Sequence, residues 1–313
     1  MLRIILALLL LAPPALAQNA IVVPFPPGGA SDVIGRTVAE GMARALGTPV
    51  VVENTSGAGG TIGANRVAQS RPDGSLLLMG NIGVATAPSL YRNLPFNPQR
   101  DLEPIGLISP VPMVLVGRPD LPAANLEELL AWLRRPGAEA TIAHSGVGSA
   151  SHLCALLLRS LTRAPINAVG YRGTAPAMAD IFAGRIDLVC DQTSAVAPLV
   201  REGRLRGLAI AAEARSPTMP AVQTTAEGGV PALQLAVWHG LYAARGTPAP
   251  VIERLSAALR TALADPATAE RFLTLGGTVE PPARVTPAAH RAFLAEEIAR
   301  WRPIIEANGE FAD

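Results

Sequence analysis

A short apolar run, a glycine-rich loop and an amphipathic helix follow one another at several points along this chain, and that order restricts the folds open to it. Residues 21–23 form the first β-branched run and residues 24–30 the first loop. The helix that follows carries Ile34, Val38 and Met42 on one face. Repetition of this order with short connections predicts an α/β fold built from parallel βαβ units with right-handed crossovers.

The N-terminal segment 1–17 has the organisation of a secretory signal peptide. Arg3 precedes an apolar stretch at 4–11, and the small residues at 15–17 form a cleavage site, so we expect Gln18 to begin the mature chain. The alternative is a membrane anchor. It is disfavoured because the apolar stretch is shorter than the roughly 20 residues that a spanning helix needs. We therefore expect a periplasmic protein.

The length of the chain and an interruption of its pattern near residue 120 indicate two lobes. Removal of the signal peptide leaves roughly 300 residues, which is long for one core and sufficient for two. Prolines and charged residues at 118–122 interrupt the pattern, and a second series of strands and helices follows. The late helices at 250–263 and 287–307 have no sheet of their own, so we expect them to pack on the first lobe. Lobe one is predicted at 18–120 and 229–313 and lobe two at 121–228, joined by a hinge with two crossings.

The charged residues exclude some classes of partner. All 26 basic residues are arginine, and 25 acidic residues balance them almost completely. This balance is not typical of a protein that binds nucleic acid, and we expect no nucleic-acid partner. Any anion site must therefore be local, made by loops and helix ends.

Three glycine-rich segments, at 24–31, 54–60 and 145–149, follow predicted strands, and a shorter fourth lies at 171–174. Glycine lets the main chain approach a ligand, and the first N–H groups of a helix lack partners, so such loops can bind an anion without arginine or lysine. Any one loop is equally explained as a tight turn. Loops at matched strand ends in two lobes favour a cleft for a small molecule with negative groups. Ser31 is predicted as the N-cap of the first helix.

Patterns for catalysis and for metal or cofactor binding are weak. There is no G-x-S-x-G, H-E-x-x-H or C-x-x-C motif, and a P-loop is ruled out without lysine. Ser145 and Ser149 lie near His144 and His152, which leaves a serine hydrolase as the least favoured alternative. We expect no enzyme activity, no cofactor and no metal.

Four motifs resemble the Bug family, the periplasmic receptors of tripartite tricarboxylate transporters. They lie at 22–32, 53–60, 145–153 and 171–177, and a later one at 238–241 begins Trp-His-Gly-Leu. The motifs are ordinary individually, but their order and spacing are specific over nearly the whole mature chain. The chain departs from the family pattern at two points. Its lead into the first strand is short, and it lacks the proline that usually precedes Gly246.

The resemblance implies a type II periplasmic-binding-protein fold with two lobes, each with a mixed, mostly parallel sheet flanked by helices, and a hinge with two crossings. It implies capture of a small carboxylate (a di- or tricarboxylate, an amino acid or an aromatic acid) for delivery to membrane subunits, by a protein expected to be a monomer. A sensor for a signalling partner is the alternative. The implied ligand-binding residues are Phe25, Gly28, Gly29, Ser31, Asp32, Gly57 and Ala58 in lobe one, and Ser145, Gly146, Gly148, Ser149, Tyr171, Gly173 and Asp191 in lobe two.

Two positions stay open on the residues alone. Asp191 either reaches the ligand or caps the helix that follows it. Cys154 and Cys190 either form a disulfide, which export permits, or remain two buried thiols. The resemblance favours the disulfide, because the segment 190–193 looks like a subgroup of the family with Cys-Asp-Gln-Thr at this strand end.

Overall fold

The computed structural model describes residues 19–309 and 311–312. The predicted signal peptide and its cleavage site lie outside these residues. Within them, no helix combines the length and the apolar character needed to cross a membrane.

The described strands are β1 (Asn19–Val23), β2 (Val50–Asn54), β3 (Leu76–Asn81), β4 (Leu102–Gly117), β5 (Ala140–His144), β6 (Ile166–Gly170), β7 (Leu188–Gln192), β8 (Arg206–Ile210) and β9 (Ala236–Ala244). The helices are α1 (Ala30–Leu46), α2 (Thr61–Ala68), α3 (Ile82–Leu90), α4 (Pro98–Asp101), α5 (Leu126–Leu133), α6 (Ala150–Thr162), α7 (Thr174–Phe182), α8 (Thr193–Arg201), α9 (Ala249–Ala264), α10 (Pro266–Thr274) and α11 (Pro287–Asn308). A single 3-10 turn, Ala58–Gly60, precedes α2.

The strands form a mixed sheet in the order β2-β1-β3-β9-β4-β7-β5-β6, with β8 also paired to β4. The pairs β1–β2, β1–β3, β5–β6 and β5–β7 are parallel, which confirms the predicted βαβ units in both lobes. Strand β9 runs antiparallel to β3 and β4, and β4 runs antiparallel to β7 and β8. The α/β fold with a mixed sheet flanked by helices is therefore confirmed, although only half of these strand pairs are parallel, fewer than expected.

Strand β4 connects the two lobes, and sequence reasoning did not predict it. Its residues from Leu102 to Pro112 pair with β9, whereas those from Met113 to Gly117 pair with β7 and β8. The chain returns where Leu235 hydrogen bonds with Met113 and Ala211, just before β9 begins. Within this continuous strand the pairing partner thus changes between Pro112 and Met113. The strand was not predicted because its internal prolines, at 104, 110 and 112, argue against a central strand.

The late helices pack on the first lobe. Leu255 and Leu259 of α9 share a buried apolar cluster with Ile34 and Val38 of α1. On the opposite face of the sheet, Trp301 of α11 is fully buried. Helices α3 and α8 were not predicted from the sequence, because each contains an internal proline (at 88 and 198) that weakens the helical pattern.

Cys154 and Cys190 are joined in a disulfide with a Cα–Cα distance of 6.2 Å. Cys154 lies in the second turn of α6 and Cys190 lies in β7. The bond therefore ties a helix to its neighbouring strand in the buried core of lobe two.

Candidate ligand-binding site

The loops after the parallel strands of both lobes meet across a narrow gap. A β-carbon built on Gly59 of lobe one would lie 3.9 Å from the carbonyl oxygen of Val147 in lobe two. One built on Gly148 would lie 3.2 Å from Cδ1 of Leu90. These contacts place the β2–α2 loop and α3 opposite the β5–α6 loop, at the carboxyl edges of the strands, where open α/β sheets bind ligands.

The first helix begins two residues earlier than its sequence suggested. Gly29, with extended φ and ψ of −79° and 170°, is the N-cap of α1, and the predicted N-cap Ser31 lies inside the first turn. Among the described residues, none accepts a hydrogen bond from the N–H groups of Ala30 and Ser31. At the positive end of a 17-residue helix, these two donors can bind an anion.

Asp32 holds the first two loops together. Its Oδ2 accepts hydrogen bonds from the Gly28 N–H (2.9 Å) and Arg36 Nε (3.0 Å), and its Oδ1 accepts from Asn54 Nδ2 (2.9 Å). Asn54 Nδ2 also donates to the Phe25 carbonyl oxygen. Burial alone would raise the pKa of Asp32, but the bonds from Arg36, Gly28 and Asn54 together lower it below its usual value. Both oxygens are thus occupied by protein donors.

Ser31 has a partner that sequence reasoning did not assign to the site. Its Oγ lies 3.0 Å from Nε2 of His239, and both residues are buried. Burial lowers the pKa of His239 to about 4, against a smaller opposing effect of the Ser109 backbone, so the ring is neutral at physiological pH. In the sheet, His239 pairs with Asn81, which caps α3 by accepting from the Gly83 N–H. In the sequence, only the position of Asn81 at the end of a predicted strand could have marked it as part of the site.

The second loop is held in an unusual backbone conformation. Gly57, Ala58, Gly59 and Gly60 all have positive φ, and Ala58 at 45° is one of few described non-glycine residues to do so. Phe25 is partly buried against this loop, since a β-carbon built on Gly60 would lie 3.3 Å from its Cζ. Phe25, Gly57 and Ala58 are therefore brought together beside the N-terminus of α1.

The third loop satisfies most of its own polar groups, unlike the open anion-binding loop that was expected. The N–H of Ser145 donates to Ser151 Oγ (2.9 Å). The N–H groups of Gly146 and Gly148 donate at 3.3 Å to Nδ1 of His144 and His152 respectively.

The serine hydroxyls of this loop are also engaged. Ser145 Oγ pairs with Ser151 Oγ (2.9 Å), and Ser149 Oγ donates to the Gly146 carbonyl oxygen (2.7 Å). Ser149 further caps α6 by accepting from the His152 N–H. The polar groups of this loop are therefore bonded mainly to one another, and the loop forms one side of the gap.

The fourth loop and the end of β7 complete the second lobe. Tyr171 Oη donates to Asp180 (2.7 Å), so the hydroxyl contacts α7, and Gly173 with φ of 108° begins that helix. Asp191 is half-buried, and its Oδ1 accepts a hydrogen bond from the Gln192 N–H (2.8 Å). Burial raises the pKa of its carboxyl to about 6.

Comparisons with known proteins agree with this architecture. Residues 34–310 match the family described as "Tripartite tricarboxylate transporter family receptor". A protein of Agrobacterium vitis, "UPF0065 protein in the TAR-I ttuE-ttuC' intergenic region", is 41% identical over 290 residues, which cover 93% of this chain and 84% of the relative.

Two solved structures are similar over almost their whole length. The periplasmic binding protein BugD is 38% identical with a TM-score of 0.84, covering 93% of this chain and 97% of BugD. MatC of Rhodopseudomonas palustris, solved with bound malate, is 36% identical with a TM-score of 0.83, covering 92% of this chain and 99% of MatC. The chain is therefore a member of the tripartite tricarboxylate transporter receptor family, to which the Bug periplasmic binding proteins belong.

Proposed function

We propose that this protein reversibly binds a small carboxylate between its two lobes and delivers it to the membrane subunits of a tripartite tricarboxylate transporter. The observation that carries the proposal is the pair of free N–H groups, on Ala30 and Ser31, at the start of α1. They lie at the N-terminus of a long helix and need no cationic side chain to hold a carboxylate. The malate bound to MatC supports a dicarboxylate as one class of ligand.

The first lobe supplies the proximal clamp. The main chain of Gly29, the N–H groups of Ala30 and Ser31, and the loop at Gly57 and Ala58 surround the carboxylate. Asp32 does not contact the ligand in this proposal, because its oxygens are already occupied. It holds Gly28 and Asn54, and through Asn54 the backbone of Phe25, in position.

The second lobe closes over the distal end of the ligand. The residues proposed to line it are Ser145, Gly146, Gly148, Ser149, Tyr171, Gly173 and Asp191. The N–H groups of Gly146 and Gly148 are bound within their own loop, so these glycines only shape the surface beside the ligand. The polar contact with the ligand is made by Asp191. The lobes, divided near residues 120 and 229, would move about the two crossings formed by β4 and β9.

We infer that binding occurs without catalysis. Ser31 and His239 form a serine–histidine contact at 3.0 Å, between two buried side chains. Within residues 19–309, no acidic side chain hydrogen bonds to His239, and a pKa of about 4 makes its ring a poor general base near neutral pH. Export to the periplasm, proposed from residues 1–17, would place the receptor where its relative BugD is described.

Thermal unfolding with a panel of di- and tricarboxylates, amino acids and aromatic acids tests the proposal. A ligand at 100 times its Kd should add about 2.7 kcal/mol to the free energy of unfolding. Ala30→Pro removes one free N–H, and proline is tolerated at the first position of a helix after the extended Gly29. This variant should fold and lose most of the ligand-induced shift.

Ala249→Pro is the matched control. It makes the same change at the first position of α9, after the extended Pro248. It should fold and keep the ligand-induced shift. The proposal fails if no carboxylate raises the midpoint of the wild type, or if Ala30→Pro binds as tightly as Ala249→Pro.

A further inference from the structure

Asp191 lies at the base of the gap, beside the crossing between the lobes. Strand β7 is placed between β4 and β5, and its last residue, Gln192, pairs with Met113 at the crossing. The side chain is half-buried, and the residue lies at the edge of the sheet where the parallel strands β5, β6 and β7 end. A ligand held at the start of α1 and covered by lobe two would therefore meet this carboxylate.

The Asp191 carboxylate has hydrogen-bond donors but no counter-ion. Its Oδ1 accepts from the Gln192 N–H at 2.8 Å, and the nearby Thr174 side chain also favours the charged form of the carboxyl. Among the described residues, no arginine or histidine forms an ion pair with it. The hydrogen bonds of this partly buried carboxylate only partly compensate for its lost hydration, and an additional donor would stabilise it.

The elements packed against Asp191 bring few charges toward it. Strand β4 contributes Val114 opposite it, and α8 begins with the uncharged Thr193. On α7, Asp180 is bound to Tyr171 and Arg185, away from Asp191. The titratable group on β5 is His144, whose Nδ1 accepts the N–H of Gly146.

We propose that Asp191 recognises a hydrogen-bond donor on the ligand, an ammonium or a hydroxyl group, and so selects amino- or hydroxycarboxylates over carboxylates that lack a donor. This inference rests on the proposed carboxylate binding and specifies its ligand class. A second bare carboxylate at this point would be repelled. A site built to accept a donor rejects an analogue without one, because its own buried acceptor is left unpaired.

The test compares ligands of equal length by calorimetry at pH 7.5. Succinate has no donor, malate has a hydroxyl and aspartate has an ammonium, and glutarate, 2-hydroxyglutarate and glutamate repeat the comparison with one more carbon. We expect at least one donor-bearing ligand to bind roughly tenfold or more tightly than its plain analogue. Asp191→Asn should reduce that ratio at least threefold. An ammonium ligand should lose more affinity than a hydroxyl ligand, because the charge of Asp191 is removed.

Asp120→Asn is the control, since it removes the same charge from an exposed position in the predicted first lobe, far from the gap. It should leave the ratio unchanged. The affinity ratio compares a donor-bearing ligand with its plain analogue on the same variant, so a loss of stability alone does not change it. If carboxylates bind but donors give no advantage, or if Asp191→Asn keeps the wild-type ratio, this inference fails while the proposed function stands. If no carboxylate binds the wild type, both fail.

Discussion

The Oγ atom of Ser31 lies 3.0 Å from Nε2 of His239, and this bond joins the first turn of α1 to β9 across 208 residues of sequence. It fixes the end of the helix that carries the free N–H groups of Ala30 and Ser31. His239 in turn lies three residues after the start of β9, close to the crossing between the lobes. The N-terminus of α1 is therefore attached to β9, close to the crossing between the lobes.

Ser31→Ala should reduce both stability and ligand affinity. The substitution leaves Nε2 of a fully buried histidine without its partner, which costs about 1–3 kcal/mol of the free energy of unfolding. Urea denaturation measures the loss. Thr37→Ala in the same helix is the control, because that hydroxyl donates only to the Val33 carbonyl of its own helix. Equal stability losses for the two variants would contradict the role given to the Ser31–His239 bond.

Asp32→Asn should lower stability at neutral pH and lose that effect in acid. The folded protein holds the pKa of Asp32 below its unfolded value of 3.8, so its contribution is complete above pH 3.8 and disappears as the pH falls through the folded pKa. We expect a deficit of about 1–2 kcal/mol at pH 7, where hydrogen bonds to a charged group are lost. Unfolding curves from pH 7 to pH 3 should converge with those of the wild type. A deficit that is independent of pH would argue against the carboxylate network.

Asp191→Asn should stabilise the ligand-free protein. The folded pKa of Asp191 is raised from 3.8 to about 6, so the folded state binds protons more readily than the unfolded state between these values. Wild-type stability therefore falls as the pH rises from 4 to 6 and stays reduced above 6. The variant lacks this loss and should be more stable by about 1–2 kcal/mol at pH 7.5. Thermal unfolding without ligand at pH 5 and pH 7.5 measures the difference, and a destabilised variant at pH 7.5 would refute the prediction.

Gly276→Ala should impede contact between the lobes. Thr193 Oγ1, at the start of α8, donates to the Gly276 carbonyl oxygen (3.1 Å), and a methyl group on Gly276 would overlap the same hydroxyl. Gly184→Ala is a matched control, since its φ of 71° is close to the 70° of Gly276 but the space around it is open. The control should lose about 1 kcal/mol from backbone strain alone. Gly276→Ala should lose at least about 1 kcal/mol more and bind ligand more weakly. Indistinguishable variants would exclude the steric contact.

The disulfide should be complete in the exported protein and should stabilise it. Thiol titration under denaturing conditions without reductant should find neither Cys154 nor Cys190 free. The double variant Cys154→Ser and Cys190→Ser should lose about 2–4 kcal/mol of stability, as expected for closure of a loop of 36 residues. Two titratable thiols, or a double variant as stable as the wild type, would contradict this.

Local patterns in the sequence predicted the parallel units well, because each strand, loop and helix is encoded by neighbouring residues. Gly47 ends α1 and Asn125 caps α5 as their residue types suggested. The pairing of Ser31 with His239 could not be predicted, since it depends on strand order over most of the chain.

The direction of the N–H groups in the third loop was also beyond prediction. Gly146 and Gly148 have the composition of an anion-binding loop, yet His144 and His152 accept their N–H groups. Glycine content shows that the backbone is free to turn but not which way its donors point. The passage of a single strand through both lobes was missed for a different reason, because the prolines at 104, 110 and 112 within β4 argue against a central strand.

Strand β4 also determines what kind of movement the lobes can make. Pro110 and Pro112 lie just before the point where its pairing changes, and neither has an N–H to donate or a free φ angle. Bending there must be taken up by ψ rotations and by Val111 and Met113, while the strand stays continuous on both sides. Opening and closing should therefore keep the β4 hydrogen bonds on both sides of the crossing intact and should rotate only a few main-chain bonds, in β4 and in the return segment before β9.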